Sequence, residues 1–269
     1  MTAPVGVEWV QPAEMTVRVG AGTPVAELDE ALLPHGQAVA IPPAGTVGGA
    51  LAVGRSGLRR LGYGPVRDSL LQARYVSATG EVVKAGGPTV KNVSGFDLCR
   101  LLVGSRGTLG FIGEVILRTR PRATFEQWFA GVVAPDEVMA RLYRPTSVLW
   151  DGTSTWVLLE GDQRDIDREV ASLPLDAVAG PPPLPRGGRW SIPPGEWPTL
   201  TGSFVVEMGV GVVHHQAPAP APAPDPVIEA LHRRIKERFD PTGRLNPGLD
   251  VLAPPPPPPP PPAATTAPA

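Results

Sequence analysis

The sequence is poor in cysteine and almost neutral in charge. Its single cysteine among 269 residues, Cys99, excludes an intrachain disulfide framework and a metal or iron–sulfur site ligated by several cysteines. A formal net charge of −2 gives no electrostatic case for a nucleic-acid partner. No apolar run approaches the roughly 20 residues that span a bilayer, and residues 1–10 do not carry the pattern of a secretory signal. We therefore expect a protein of the reducing cytoplasm without a membrane span.

The first part of the chain alternates predicted strands with glycine-rich loops. Residues 4–20 predict two strands around the turn at residues 11–13. Thr23 is the expected N-cap of a helix that begins at Pro24. Residues 39–64 predict a long loop with short helical pieces and no packed element. The later predictions are a strand to a hairpin at 78–81, a return strand at 82–84, one or two helical turns at 98–103 and a strand at 112–118.

The second part predicts a small α+β domain followed by proline-rich segments. Its predicted elements are a strand at 125–133, a helix at 135–142, two strands within 147–159, a helix at 163–173, a loop at 180–198 and one strand at 203–213. The alternation of alanine and proline at 217–224 predicts an extended linker, and residues 226–239 predict a helix. The prolines at 254–262 predict a tail that joins no core. The predicted domain boundaries are 1–122, 123–216, 217–226, 227–250 and 251–269.

Four loops carry the residue types that bind a cofactor. The first loop comprises residues 43–49 with Gly54 and Gly57, and its glycines let backbone N–H groups approach an anion. It lacks the G-x-G-x-x-G spacing of a Rossmann dinucleotide-binding motif and the Gly-Lys-Ser/Thr of a Walker loop. The second and third, residues 64–68 and 91–97, place charged or polar side chains beside glycine. The fourth, residues 104–112, is a glycine turn that leads into an apolar strand. Taken singly, each is also explained as a surface loop, a salt-bridged turn or a tight turn.

Taken together and in this order, the four loops resemble the FAD-binding domain of the vanillyl-alcohol-oxidase and p-cresol-methylhydroxylase (PCMH) type. The run Lys-Asn-Val-Ser-Gly-Phe-Asp at 91–97, followed by Arg100-Leu101, is similar to that of FAD-binding subunits of glycolate oxidase. Residues 239–248 resemble the C-terminal return segment of that family. The resemblance implies an α+β fold with a PCMH-type FAD-binding domain truncated at its N-terminus, a small, reduced ferredoxin-like cap and a C-terminal return helix.

The resemblance also implies the site. The first loop would contact the FAD diphosphate and ribityl chain, Gly95 would line the flavin cleft, Asp97 would orient its loop, and Asn246 would lie near the isoalloxazine edge. Gly107, Thr108 and Ile112 would lie along the cofactor. No metal is expected, and no residue is placed for covalent attachment, so the expected cofactor is non-covalent FAD. The predicted cofactor-binding residues are Pro43, Gly45, Thr46, Gly48, Gly49, Gly54, Arg67, Asp68, Lys91, Asn92, Gly95, Asp97, Gly107, Thr108, Gly110, Ile112 and Asn246.

The chain departs from the family in two ways. It starts after the lobe that carries the family's diphosphate loop, and we expect a misassigned start rather than a true truncation, with poor FAD binding by the chain as written. The middle part is short for the family's cap and lacks the histidine-rich motif of the catalytic glycolate oxidase subunit, which weakens the case for full catalysis by this chain alone. The catalytic residue stays open. Cys99 is interpreted as a small core residue. His214 and His215 are weighed as a general base near the flavin and interpreted as an exposed strand end.

The predicted reaction is flavin-linked oxidation of a 2-hydroxy acid such as glycolate. One alternative is a non-catalytic FAD-binding or scaffold subunit, and another is a degenerate domain without cofactor. The resemblance implies partner subunits, a catalytic flavoprotein and an iron–sulfur protein, and through them a peripheral position on the inner membrane.

Overall fold

The computed structural model describes residues 1–88, 97–193, 195–220 and 225–249, and its first part is built on a six-stranded antiparallel sheet. The long strand β6 lies at the centre, and the order is β1-β2-β6-β4-β5, with β3 pairing with another stretch of β6. The predicted hairpins and strands of this part are confirmed. The strands are β1 (Val7–Gln11), β2 (Thr16–Gly20), β3 (Gln37–Val39), β4 (Leu70–Val76), β5 (Val82–Gly86) and β6 (Phe111–Pro121).

Short helices accompany this sheet, and three of them, α1, α2 and α4, pack against its strands. Alternation places Val17 and Val19 of β2 in the core, where Leu28 and Leu51 from two of the helices join them. Arg18, between the two valines, lies on the other side and pairs with Glu114 of β6 at 2.7 Å. The helices are α1 (Val25–Leu32), α2 (Val47–Val53), α3 (Arg60–Tyr63) and α4 (Leu98–Leu102).

Two local predictions in this part are wrong. Thr23 does not cap α1, because its hydroxyl lies 2.8 Å from the N–H of Gly6 and binds the N-terminal segment instead. Residues 39–64 do contain the expected short helical pieces, but α2 is a packed element whose Val47 and Leu51 are fully buried. Its seven residues are too few to show a helical period, which is why the sequence pattern resembles a loop.

The second part is a seven-stranded antiparallel sheet of order β10-β7-β9-β8-β12-β13-β11. Its first six elements run β7-α5-β8-β9-α6-β10 with strand order β10-β7-β9-β8, which confirms the predicted ferredoxin-like arrangement. Three more strands extend the sheet beyond β8. The elements are β7 (Phe125–Gly131), α5 (Pro135–Arg141), β8 (Ser147–Trp150), β9 (Thr155–Gly161), α6 (Gln163–Val170), β10 (Asp176–Val178), β11 (Gly188–Ser191), β12 (Phe204–Glu207) and β13 (Val212–His215).

The three added strands correct two predictions. The predicted loop at 180–198 contains β11, which pairs with β13. The single strand predicted at 203–213 is instead a hairpin of β12 and β13. Gly209 and Gly211 both have φ of +71° and form the turn between β12 and β13. Met208 and Val210 continue the apolar pattern through this turn, so the pattern alone predicts one continuous strand.

Helix α3 joins the two parts. The N–H of Gly62 donates to the carbonyl of Thr146 at 3.1 Å, and a Cβ on Gly62 would lie 2.9 Å from the Thr146 Cα. Glu160 of β9 accepts hydrogen bonds from Arg59 at 2.6 Å and from the Tyr63 hydroxyl at 2.5 Å. Burial and this bond to Glu160 raise the pKa of Tyr63 to about 12. The proposed domain boundaries stay predictions.

The C-terminal helix α7 (Pro226–Phe239) is confirmed and returns to the first part. The Asp225 carboxylate accepts hydrogen bonds from the N–H groups of residues 227 and 228 and so caps it. Ile235 and Phe239 pack against the first core, but Ile228 and Leu231 are 45% and 44% exposed. Within the described ranges, no helix is long and apolar enough to cross a bilayer, and no His, Cys, Asp and Glu side chains are grouped to hold a metal ion.

Candidate functional site

Thr46 begins α2 inside the first glycine-rich loop. Its hydroxyl accepts a hydrogen bond from the Gly49 N–H at 3.1 Å. The N–H groups of Val47 and Gly48 donate at 2.9 and 2.7 Å to carbonyls of residues 23 and 21, in the turn after β2. The first amides of this helix therefore already have acceptors in the protein. The predicted contact of this loop with a diphosphate stays a prediction, and these three donors are not available for it.

The two adjacent glycines of α2 have different surroundings. A Cβ on Gly48 would lie 2.8 Å from the Ala21 Cβ and 2.9 Å from the Ala21 oxygen. A Cβ on Gly49 would meet only the Thr46 hydroxyl, at 3.1 Å. Gly48 is thus required for packing of α2 on the sheet, whereas Gly49 lies at a more open position. A Cβ on Gly45 would meet nothing within 4 Å.

The end of α2 is joined to the fourth loop through backbone contacts. Gly54 ends the helix with φ of +67°, and a Cβ there would lie 2.8 Å from the Gly104 Cα. The N–H of Gly104 donates to Leu51 O at 3.0 Å, and that of Arg106 donates to Ala52 O at 2.8 Å. The first and fourth loops therefore form one surface.

Arg100 links the second loop to the end of the third. Its guanidinium lies 3.6 Å from the Asp68 carboxylate and 2.9 Å from that of Asp97. Asp97 also caps α4, since its carboxylate accepts the Arg100 N–H at 3.2 Å. The side chain of Arg67 is 55% exposed and 3.9 Å from Asp68. The predicted site residues Lys91, Asn92 and Gly95 lie outside the described residues.

Among the predicted site residues of the fourth loop, one is open and three are packed. A Cβ on Gly107, which has φ of +74°, would meet nothing within 4 Å. A Cβ on Gly110 would lie 2.4 Å from the ring of Tyr75, so this glycine makes room for a core side chain. Thr108 and Ile112 are 1% and 7% exposed. Gly107 is therefore the residue of this group with space beside its backbone.

The return segment after α7 is held by a buried ion pair. Asp240 is 4% exposed, and its carboxylate accepts hydrogen bonds from Lys236 Nζ at 2.5 Å and from the N–H groups of Arg244 and Leu245 at 2.9 and 2.8 Å. Burial alone raises the pKa of Asp240, but the bond from Lys236 and those two N–H groups outweigh it and lower the pKa to about 2. Lys236 also donates to Thr108 O at 2.9 Å, so the pair fixes α7 to the fourth loop.

Asn246 reaches the same loop from the return segment. Its side-chain amide donates to Arg106 O at 2.7 Å, and its own φ is +46°. The predicted site residue is thus beside the joined first and fourth loops, residues 43–57 and 104–112, which we call the flavin-motif loops. Its contact with the isoalloxazine edge stays a prediction.

Positive charge collects where these loops meet the second sheet. Arg189 of β11 donates to the carbonyl of Ser56, just after α2, at 3.3 Å. Burial first, and then the charges of Arg189 and Arg106, lower the pKa of Arg55. Three arginines from the first loop, the fourth loop and the cap sheet therefore act on one region.

Glu207 and His214, neither of which is among the predicted cofactor-binding residues, complete this region. His214 of β13 is not an exposed strand end as interpreted, since its side chain is 12% exposed and lies 2.8 Å from Glu207 Oε1. Glu207 is 2% exposed and is also 3.4 Å from Arg189. His215, on the other face, binds Thr201 O at 2.8 Å. Glu207 is the one charged residue in the apolar sequence 203–213, and this isolated charge is the sequence feature that could have indicated a functional residue.

Cys99 is confirmed as a core residue. It is 3% exposed, and burial, with the neighbouring charge of Asp97, raises the pKa of its thiol to about 11. Its Sγ lies 3.5 Å from Ala85 O.

The first part is thus an α+β domain whose first and fourth loops are joined through backbone hydrogen bonds. Residues 2–86 match the FAD binding domain family. This part of the chain is therefore similar to an FAD binding domain, and the match supports FAD as the cofactor. The described residues fit such a group, because Gly45 and Gly107 leave open space beside bare backbone.

The chain is similar to several known proteins. It is 31% identical over 187 residues to glycolate oxidase subunit GlcE of Escherichia coli strain K12, which covers 65% of this chain and 53% of that protein. It is 41% identical over 108 residues to D-lactate dehydrogenase of Archaeoglobus fulgidus, or 38% of this chain and 24% of that one. Among solved structures, alkyldihydroxyacetonephosphate synthase covers 90% of this chain with a TM-score of 0.64 and 17% identity, and 65% of that chain is covered. This last likeness shows the fold alone. The match spans about half the length of GlcE and about a quarter of the length of the D-lactate dehydrogenase.

Proposed function

We propose that this chain is an FAD-linked oxidoreductase subunit that oxidises a 2-hydroxy acid, such as glycolate, to the 2-keto acid. The support is twofold. The relatives named above act, by their names, on glycolate and D-lactate, both of which are 2-hydroxy acids. The described residues also join the loops that carry the predicted cofactor residues to Arg189 of the cap sheet.

The observation that carries the proposal is the contact of the cap sheet with the flavin-motif loops at Arg189 and Ser56. A substrate must reach both the cofactor and groups that recognise its carboxylate, and a cofactor held by these loops would lie beside such groups at this junction. Bound FAD supplies a hydride acceptor for C2 of the substrate. The arginine region attracts the carboxylate, and the buried side chains of Leu149, Val205 and Val212 keep the neighbouring sheet face apolar.

The proposal is tested by anaerobic flavin reduction. The FAD-loaded protein is mixed with glycolate, D-lactate, L-lactate or 2-hydroxyglutarate, and bleaching of the oxidised flavin band is followed. We expect at least one of these acids to reduce the flavin, and succinate, which has no hydroxyl group, to leave it oxidised. A flavin that dithionite reduces but none of the four acids reduces contradicts the proposal.

A second candidate is a non-catalytic FAD-binding subunit of a larger flavoprotein complex. The observation that favours it is that a relative is named as a subunit of glycolate oxidase. In that case we propose partners that carry catalysis and electron transfer, a second flavoprotein and an iron–sulfur protein. Reconstitution with the partner subunits separates the candidates, since only the non-catalytic subunit needs them for flavin reduction.

A further inference from the structure

The cap sheet presents one polar cluster on the face that looks toward the flavin-motif loops. Strand pairing fixes this face: Glu207 lies opposite Leu149, and His214 lies opposite both Val205 and Arg189. Arg189 reaches Ser56 from this side. The apolar neighbours are buried, so a charged and titratable group among them needs a specific reason to be there.

Glu207 is held in place but has an incomplete set of hydrogen bonds. Its Oε1 lies 2.8 Å from His214 Nε2 and 3.4 Å from Arg189. Its Oε2 is buried and has no hydrogen-bond partner. An orphaned carboxylate oxygen costs stability, and such costs are found where a group serves a purpose other than folding.

The contact with Glu207 sets the state of the histidine ring. A carboxylate only accepts, so Nε2 of His214 carries the hydrogen and donates it to Glu207. Nδ1 is then left with a lone pair. The His214 ring is more accessible than the carboxylate that holds it, because 12% of the His214 side chain is exposed against 3% for Glu207.

We propose that His214 accepts the hydroxyl proton of the substrate at Nδ1 and that Glu207 is the residue that positions it. This inference rests on the proposed function. In the step, the O–H bond of the 2-hydroxy acid breaks and its proton goes to Nδ1, the C2–H bond breaks and its electron pair leaves as hydride to FAD, and the C=O bond of the keto acid forms. The Glu207 carboxylate stabilises the imidazolium that results.

Charged groups lie beside His214 on both neighbouring strands. Glu207 lies on β12 and Arg189 on β11, and the charge of Arg189 acts in turn on Arg55 of the first loop. These cations favour a substrate carboxylate nearby.

The chain offers a matched control for the test. His214→Gln keeps a donor to Glu207 but has no group that takes a proton, and His215→Gln makes the same change one residue further along on the opposite face. We expect His214→Gln to lower the rate of flavin reduction by about 10²–10⁴-fold with little change in KM, and His215→Gln to leave it within a few fold. Glu207→Gln should lower the rate and alter its pH profile, and Glu207→Asp should restore part of both.

A second readout does not depend on turnover. The FAD-loaded protein with ¹⁵N-labelled histidine is titrated with oxalate, an anion of similar size without a hydrogen to transfer. We expect the Nδ1 signal of His214 to shift and that of His215 to stay. This measurement uses the unmodified protein and so holds even if a variant misfolds.

The outcomes separate the two ideas. If the wild-type flavin is reduced by a 2-hydroxy acid but folded His214→Gln reacts within a few fold of it, the role of His214 is overturned and the proposed function stands. An unchanged Nδ1 signal in saturating oxalate also overturns that role. If no 2-hydroxy acid reduces the wild-type flavin, the proposed function fails and the assignment of His214 falls with it.

Discussion

Replacement of Asp240 by asparagine should release the return segment from the fourth loop. The amide keeps one acceptor for the Arg244 N–H but turns donors toward Lys236 and the Leu245 N–H. Since the pKa of Asp240 is lowered from 3.8 to about 2, its ionised form contributes on the order of 2 kcal/mol to the folded segment. The side chain of Asp240 is fully buried, so solvent screening reduces this figure little.

Amide hydrogen exchange measures the effect locally. A loss of about 2 kcal/mol corresponds to roughly thirty-fold faster exchange of the Arg244 and Leu245 amides. Bound FAD should also fall, because Asn246 no longer stays on the Arg106 carbonyl. The pH dependence has a definite sign: the folded pKa is the lower one, so the contribution is complete well above pH 3.8 and is lost as the pH falls through about 2.

Asp225→Asn is the matched control. Asp225 caps the other end of the same helix, and asparagine caps as well as aspartate does. It should leave exchange at residues 244 and 245 unchanged. Equal exchange of these amides in Asp240→Asn and wild type would refute the reasoning.

Three further predictions concern packing. Gly48→Ala should cost about 1–3 kcal/mol of unfolding free energy through its contact with Ala21, while Gly49→Ala should change it by less than about 1 kcal/mol, both measured by urea denaturation; equal costs would contradict the packing of α2. Gly110→Ala should displace the ring of Tyr75, and an unaltered tyrosine fluorescence and melting temperature would argue against that contact. Cys99, with its thiol pKa raised to about 11, should react with iodoacetamide at neutral pH only after unfolding, and rapid labelling of the native protein would show that it is not buried.

Local chemistry accounts for what the sequence predicted well. Helix α7 has its cap, its N1 proline and its apolar positions within one segment, so its bounds of 226–239 were readable directly. The hairpin at 78–81 and the four glycine-rich loops are likewise local patterns. The failures were local too, since Thr23 and the turn at Gly209 have patterns that fit two structures equally well.

Only the tertiary structure decided which residues of those patterns meet. Gly48 and Gly49 are indistinguishable in sequence, and the position of Ala21 makes one of them a packing residue. The pairing of β12 with β13 and of β13 with β11 brings Glu207, His214 and Arg189 together. The loop motifs and their resemblance to FAD-binding domains were recognisable from the sequence, because each motif lies within a short segment. The grouping of side chains into a site depends on which strands become neighbours, and that is set by burial over the whole sheet.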